Sequence, residues 1–525
     1  MIALKGSGFD IILVSGEPYA DHPLSGAGVI ARVLDAEGYK VGVIERPDWK
    51  GNADFKKLGA PRLFFGLTAG SIDSMLVNYT PLKRARAKDE HEPYRSGMPD
   101  RAVLVYANRI RPLFPGVPLV LGGIEASLRR FAHYDYWENK IRRGLLLDSR
   151  ADILVYGPGE LQAVEIAKRL ENGEDLAGIR GTCVVRPEVP PGFREIPSFE
   201  DVSASPDAFC RAQNLFSNRR ALAQRHAARY ALQYPMPDYT AADLDRIYGL
   251  PFSRKVPAHF PEFKMAQFSV VTHRGCFGRC SFCALALHQG DRIVSRSEKS
   301  ILDEIFRLTR HPDFKGYIDD MGGPTANMYG MDCAAGERCE KECLSCARLD
   351  RSHRRLIALM RKARRVPGVK KIFVRSGIRY DLAMESEEYL REICGHHLSG
   401  LLKIAPEHVS PAVLRRMNKN VPPLEDFRRL FMSINAGRKQ HLKYYFMVGH
   451  PGCGPREADE LKREIRRLER EGEKPVEGVQ IFTPTPMTVS TCMYHTGLDP
   501  ATGEKVHVPR TFAEKKEQKR RCARP

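Results

Sequence analysis

Val270–Gln289 reads VVTHRGCFGRCSFCALALHQ, and this stretch decides how the rest of the chain is read. Cys276, Cys280 and Cys283 stand there in a CxxxCxxC spacing, after a short β-branched run and Gly275. Thiolates this close hold a metal or an iron–sulfur cluster, and three of them leave one coordination position without a protein ligand. Structural zinc sites prefer four ligands in paired spacings, so zinc here requires His273 or His288 as the fourth.

Working outward, strand and helix patterns alternate from Phe268 onward. Ser269–Thr272 is strand-like and leads into the cysteine loop, and Lys299–Thr309 is an amphipathic helix. Tyr317–Met321 is a strand ending at Gly322-Gly323-Pro324, and 353–365 is helical. Strands follow at 371–375, 401–404, 443–448 and 479–482, with helices near 384–393, 410–416 and 456–470 between them. About six βα units predict a full or partial parallel barrel over 263–497, with its site at the C-terminal ends of the strands. An insertion at 325–350 carries Cys333, Cys339, Cys343 and Cys346 in a loop with little core-forming sequence. Four thiols there predict a second metal site, zinc or an auxiliary cluster, that staples the loop.

Before the barrel, Asp10–Val14, 38–45, 63–67, 117–123 and 153–157 read as buried strands separated by helical segments. That pattern predicts a Rossmann-like parallel sheet over 1–180, with Gly122-Gly123 and Gly157-Pro-Gly159 in loops after strand ends. No GxGxxG is present, so no dinucleotide site is expected. Residues 181–262 read as a helical, proline-rich connector, with a long helix over 207–232. The last segment, 498–525, reads as a basic, frayed tail.

The 525-residue length fits about three domains. A 42% hydrophobic share without low-complexity tracts fits a folded protein. No run approaches the ~18 apolar residues of a membrane span, and Ile11–Val14 is too short for a signal peptide, so a cytoplasmic protein without a membrane partner is expected. Thirteen cysteines in that compartment argue for metal use over disulfides. A net charge of +19 favours polyanionic partners such as RNA.

The cysteine loop resembles the signature of the radical S-adenosylmethionine (SAM) superfamily. Over nearly the whole length the chain looks like the YgiQ-type radical SAM proteins, in DIILVSGEPYADHP, RGCFGRCSFCA, GGPTANMYG and PTPMTVSTCMYHTGLDPATGE. The resemblance implies a [4Fe–4S] cluster on Cys276, Cys280 and Cys283 with SAM on the open iron. It implies reductive cleavage of SAM to a 5′-deoxyadenosyl radical, fed by a flavodoxin- or ferredoxin-like electron donor. By the same resemblance Phe282 stacks on adenine and Gly322-Gly323 approaches the methionine amino group. Pro324 departs from the Glu that many members have there. Ile404-Ala-Pro-Glu-His408 and Val448-Gly-His-Pro-Gly452 resemble the methylthiotransferase-like branch, which puts Glu407 beside the cofactor and suggests a substrate on RNA or protein. Arg375, Ser376, Arg379 and Lys403 are candidates for the SAM carboxylate or ribose.

Two other readings compete. One is a non-catalytic, zinc-stabilised RNA-binding protein. The other is a cobalamin-dependent radical SAM methyltransferase, since the N-terminal layout resembles cobalamin-binding domains. Asp21-His22-Pro23-Leu24-Ser25-Gly26 lacks the spacing of a cobalamin lower ligand, so cobalamin is not expected and the Asp-His pair reads as turn chemistry.

Overall fold

The computed structural model describes residues 2–86, 97–333, 339, 342–473 and 478–522. Parts of the 325–350 insertion and the last three residues of the tail lie outside these. The chain forms two units, of 1–238 with 250–264 and 485–496, and of 239–249 with 265–484 and 497–525.

The first unit is built on a ten-stranded sheet. Six parallel strands lie in the order Ile2–Ala3, Val41–Glu45, Ile11–Ser15, Phe64–Thr68, Leu119–Leu121, Ile153–Val155. Side chains alternate faces along a strand, and that period of two sorts the apolar residues into two cores. Ile12, Val14, Phe65, Leu67 and Leu121 join one, whereas Ile11, Leu13, Phe64, Val120 and Ile153 join the other. Burial on both faces explains why these strands are continuous apolar runs. Strand order reverses about Ile11–Ser15, where an open α/β sheet places its crevice.

The sheet continues beyond the expected boundary. Thr182–Arg186 runs antiparallel to Ile153–Val155, and Arg229–Gln233, Leu222–His226 and Arg194–Ile196 follow it. The predicted helix over 207–232 therefore needs correcting. Helix Pro206–Leu215 ends there, and the chain returns as a hairpin turning at Ala227, which has φ 53°. Ala and Arg favour helix intrinsically, but pairing and buried amides override that preference. Gln233 Nε2 donates to Ser217 O and Arg220 O, and Gln233 Oε1 accepts from Arg130.

The second unit holds six parallel strand positions in chain order. They are Val270–Val271, Tyr317–Ile318 with Met321–Gly322, Lys371–Ile372, Leu401–Glu407, His441–Val448 and Gln480–Ile481. Val270 pairs with Met321, Ile318 with Ile372, and Ile404 with Ile378 just beyond the third strand. The last three strands form one parallel sheet. Helices Glu298–Leu308, Arg354–Ala363, Glu387–His396, Leu424–Ile434 and Pro455–Arg470 fill the crossovers. This is the expected partial (β/α)6 barrel. Pro455–Arg470 buries Ala458, Leu461, Ile465 and Leu468, one stripe of a helix whose other faces are charged.

The tail also departs from expectation. Phe512–Cys522 is a helix, and Gln518 on it is buried. Gln518 Oε1 accepts from Gly449 N at 2.9 Å and its Nε2 donates to Cys453 O at 2.8 Å. A basic outer face hid these contacts from a reading of charge alone. No helix among the described residues is long and apolar enough to cross a membrane.

Candidate metal centre

The cysteine loop leaves the first barrel strand through Gly275, whose φ is 84° and whose Cβ, if present, would lie 1.7 Å from Arg292 O. Only glycine passes there. Cys276 N donates to Gly290 O at 3.1 Å, and Cys283 N donates to Cys280 O at 3.0 Å, which closes the turn. The loop after the fourth barrel strand's helix holds it from outside: Ser281 N donates to Met417 O at 2.8 Å, and Asn418 Nδ2 donates to Arg279 O at 3.0 Å.

Each of the three half-buried sulfurs has its own hydrogen-bond partner. Cys276 Sγ lies 3.6 Å from Thr325 Oγ1, Cys280 Sγ lies 3.8 Å from Arg379 Nη1, and Cys283 Sγ lies 3.5 Å from Leu285 N. Burial pushes the Cys280 thiol up and the Cys283 thiol to about 12, and proximity of the sulfurs to one another adds to both. Those sulfurs stay protonated unless a metal displaces the proton. Three sulfurs drawn together, each with a donor at hand, fit a cluster bound through three irons. Among the described residues no three Cys, His, Asp or Glu side chains close on a single metal ion. Sulfurs that ligate separate irons stand farther apart than ligands sharing one.

Glu407 ends the fourth barrel strand at a register irregularity, with φ 64°. A left-handed conformation in a residue with a side chain costs about 1–3 kcal/mol and persists where surroundings enforce it. Its carboxyl is buried, and burial pushes its pKa up. Oε1 accepts from Lys419 Nζ at 3.2 Å, while Oε2 has no hydrogen-bond partner. Lys419, Arg379 and Glu407 all act electrostatically on Cys280. The structure therefore gathers Arg379 and Glu407 at the cysteine loop.

The other expected cofactor contacts are placed differently. The Ser376 hydroxyl donates to Asp320, which also accepts from the backbone N–H of Arg375 and Ser376. Lys403 is exposed, and its carbonyl accepts from Ile378 N. Phe282 meets His450 edge-on, centroids 6.3 Å apart. Gly322 pairs with Val271 beside the cysteine-bearing strand. At Gly323 a Cβ would come within 2.6 Å of the His273 ring, so packing of that strand already requires glycine.

Several residues were missed by sequence reasoning. Asn327 is buried, and its side chain clamps the backbone of Arg379, accepting from its N at 2.9 Å and donating to its O at 3.0 Å. Asp381 binds the Arg379 guanidinium, with Nη2–Oδ2 at 2.7 Å. Thr325 and Asn327 lie within GGPTANMYG, so that stretch carried the signal without assigning roles.

Cys333, Cys339, Cys343 and Cys346 are half-buried, and Cys343–Ser345 is a single 3-10 turn. Cys343, Leu344 and Leu349 pack on the apolar cluster of Phe277, Ile293, Met328, Met331 and Leu382 that Cys276 also touches. Arg292 Nη2 donates to Cys339 O at 2.9 Å.

In the first unit, Asp21 and His22 serve the chain itself. Asp21 accepts from Ser253 N and from Arg32. His22 is buried, with Nδ1 accepting from Leu24 N at 3.0 Å and Nε2 lying 3.2 Å from Arg254 Nη1. Both nitrogens are engaged, which matches turn chemistry. Glu17, in the loop after Ile11–Ser15, is buried and its Oε1 has no hydrogen-bond partner.

The Radical SAM N-terminal family matches residues 1–272, and a domain of unknown function (DUF3362) matches 477–522. A UPF0313 protein of Methanosarcina acetivorans is 46% identical, covering 97% of this chain and 75% of that one. Another from Methanocaldococcus jannaschii is 46% identical, covering 98% and 89%. This chain belongs to the UPF0313 family. It is consistent with the YgiQ-type radical SAM resemblance, and DUF3362 takes in the C-terminal helix that carries Gln518. Among solved structures the UPF0313 chain is similar in fold to the radical SAM methyltransferase TsrM from Kitasatospora setae with cobalamin and a [4Fe–4S] cluster bound. The TM-score is 0.54 at 19% identity, covering 97% of this chain and 84% of that one.

Proposed function

We propose that this UPF0313 protein is a radical SAM enzyme whose cluster is held by Cys276, Cys280 and Cys283. The observation that carries the reading is three gathered sulfurs, each with its own hydrogen-bond partner, at the C-terminal side of a partial (β/α)6 barrel. When bound, the cluster and SAM supply a 5′-deoxyadenosyl radical. The chain's own residues position and shield: Gly275 admits the turn, Met417 and Asn418 pin the loop, and buried Glu407 offers an unpartnered oxygen. The family match and the barrel favour this over a zinc-stabilised RNA-binding protein. An electron donor of flavodoxin or ferredoxin type and a substrate on RNA or protein belong to the same proposal. The charge of +19 supports an acidic substrate.

Anaerobic reconstitution tests it. The expected protein is brown, carries iron and sulfide, and releases 5′-deoxyadenosine from SAM with dithionite, whereas Cys280→Ala does not. Stoichiometric zinc without iron, or equal release by both proteins, overturns the reading. The Cys333, Cys339, Cys343 and Cys346 group is the proposed second metal or cluster site, supported by four half-buried cysteines close together in sequence. Replacing Cys343 and Cys346 by Ser should lower metal content below that of the wild type while the first cluster remains.

A second reading, cobalamin-dependent methyl transfer, is supported by the TsrM likeness in fold. Engagement of both His22 nitrogens speaks against a His22–cobalt bond. Corrinoid absorption after reconstitution, unchanged in His22→Ala, is the outcome this reading requires.

A further inference from the structure

We propose that Arg379 is a positioning residue that sets the reduction potential of the cluster by donating a charge-assisted N–H···S bond to the Cys280 thiolate. The inference rests on the radical SAM reading and concerns how easily the cluster accepts its electron, a property that reading leaves open.

The placement of this guanidinium is built from four directions. Its backbone is clamped at both ends by the Asn327 amide. Asp381 takes one edge of the fork, with Nε at 3.1 Å from Oδ1 and Nη2 at 2.7 Å from Oδ2. That leaves Nη1, which lies 3.8 Å from Cys280 Sγ. Gly278 clears the path, because a Cβ there would sit 2.6 Å from Nη1 and 3.4 Å from Cys276 Sγ. The side chain is 7% exposed, so solvent screens its charge weakly.

Reduction adds negative charge to a cluster already held by thiolates. A fixed cation hydrogen-bonded to one of those sulfurs stabilises the reduced state more than the oxidised one, and so raises the potential. Asp381 acts in the opposite sense, since its carboxylate offsets part of the Arg379 charge. With both edges of its fork engaged, Arg379 serves the sulfur in preference to the SAM carboxylate.

The two side chains therefore make opposite predictions, which general loosening of the loop does not produce. In a redox titration of the reconstituted full chain, followed by the electron paramagnetic resonance of the reduced cluster, Arg379→Gln should lower the midpoint potential. The expected shift is at least 59 mV, a tenfold change in a one-electron equilibrium. Asp381→Asn should raise it. Arg379→Lys keeps the charge without the fork, and should fall between Arg379→Gln and wild type. If Arg379→Gln assembles no cluster, Arg379→Lys and Asp381→Asn decide, shifting in opposite directions if the inference holds. Potentials that stay within a few millivolts of wild type, or that all move the same way, overturn it. A wild-type protein that binds no iron–sulfur cluster overturns the radical SAM reading first, so the two failures are distinguishable.

Discussion

At the scale of single residues, backbone room decides more than side-chain chemistry. Gly275 has both a left-handed φ and no space for a Cβ. Gly275→Ala should cost at least about 2 kcal/mol and distort the cysteine turn. Iron per chain after reconstitution should then drop well below wild type, with far-UV circular dichroism little changed. Asn327→Ala removes the clamp on Arg379 and leaves its buried N–H unpaired, while the Arg379 carbonyl keeps its bond from Ala383 N. Its expected cost is about 1–3 kcal/mol, read as a lower midpoint in urea unfolding. The grouping of Cys276, Cys280 and Cys283 was legible because their spacing is written in the chain. The company of Arg379 was not, because Cys280 and Asn327 reach it only through folding, 99 and 52 residues away in sequence.

At the scale of elements, apolar patterning placed the strands, and propensity misplaced segments whose polar side chains are buried. The six barrel strands and the five N-terminal strands fell near their expected places because buried parallel strands are apolar runs. The hairpin of Leu222–His226 and Arg229–Gln233 did not, since its pairing depends on Thr182–Arg186, distant in sequence. The helix Phe512–Cys522 was hidden for a similar reason: its docking rests on Gln518, one polar residue in a basic segment. Gln518→Ala leaves Gly449 N and Cys453 O without these partners, and should destabilise the second unit by about 1–3 kcal/mol. Hydrogen exchange at residues 449–453 checks this, and should quicken in the variant while the N-terminal sheet keeps its protection.

At the scale of the whole molecule, stability should depend on pH through buried histidines of the first unit. His226 is buried, has no hydrogen-bond partner for either nitrogen, and stacks on Phe199 at 5.6 Å. Burial holds its pKa down at about 4, against a small opposing pull from Glu200 and a further push from Arg143. His133 is likewise lowered to about 4, by burial and by Arg129. In the unfolded chain both titrate near their ordinary value of about 6.5. Between about pH 6.5 and 4 the unfolded state therefore binds protons that the folded state refuses, and stability falls as pH falls. Below about 4 both states are protonated and this contribution levels off. His226→Phe keeps the stacked ring and removes the titration, so its unfolding midpoint should fall less than that of wild type between pH 7 and 5. The difference bears on His226 alone, since His133 and the carboxylates titrate in both proteins. Equal slopes in the two proteins would show that His226 is hydrated in solution and that its site is less closed than the packing of Phe199 and the hairpin implies.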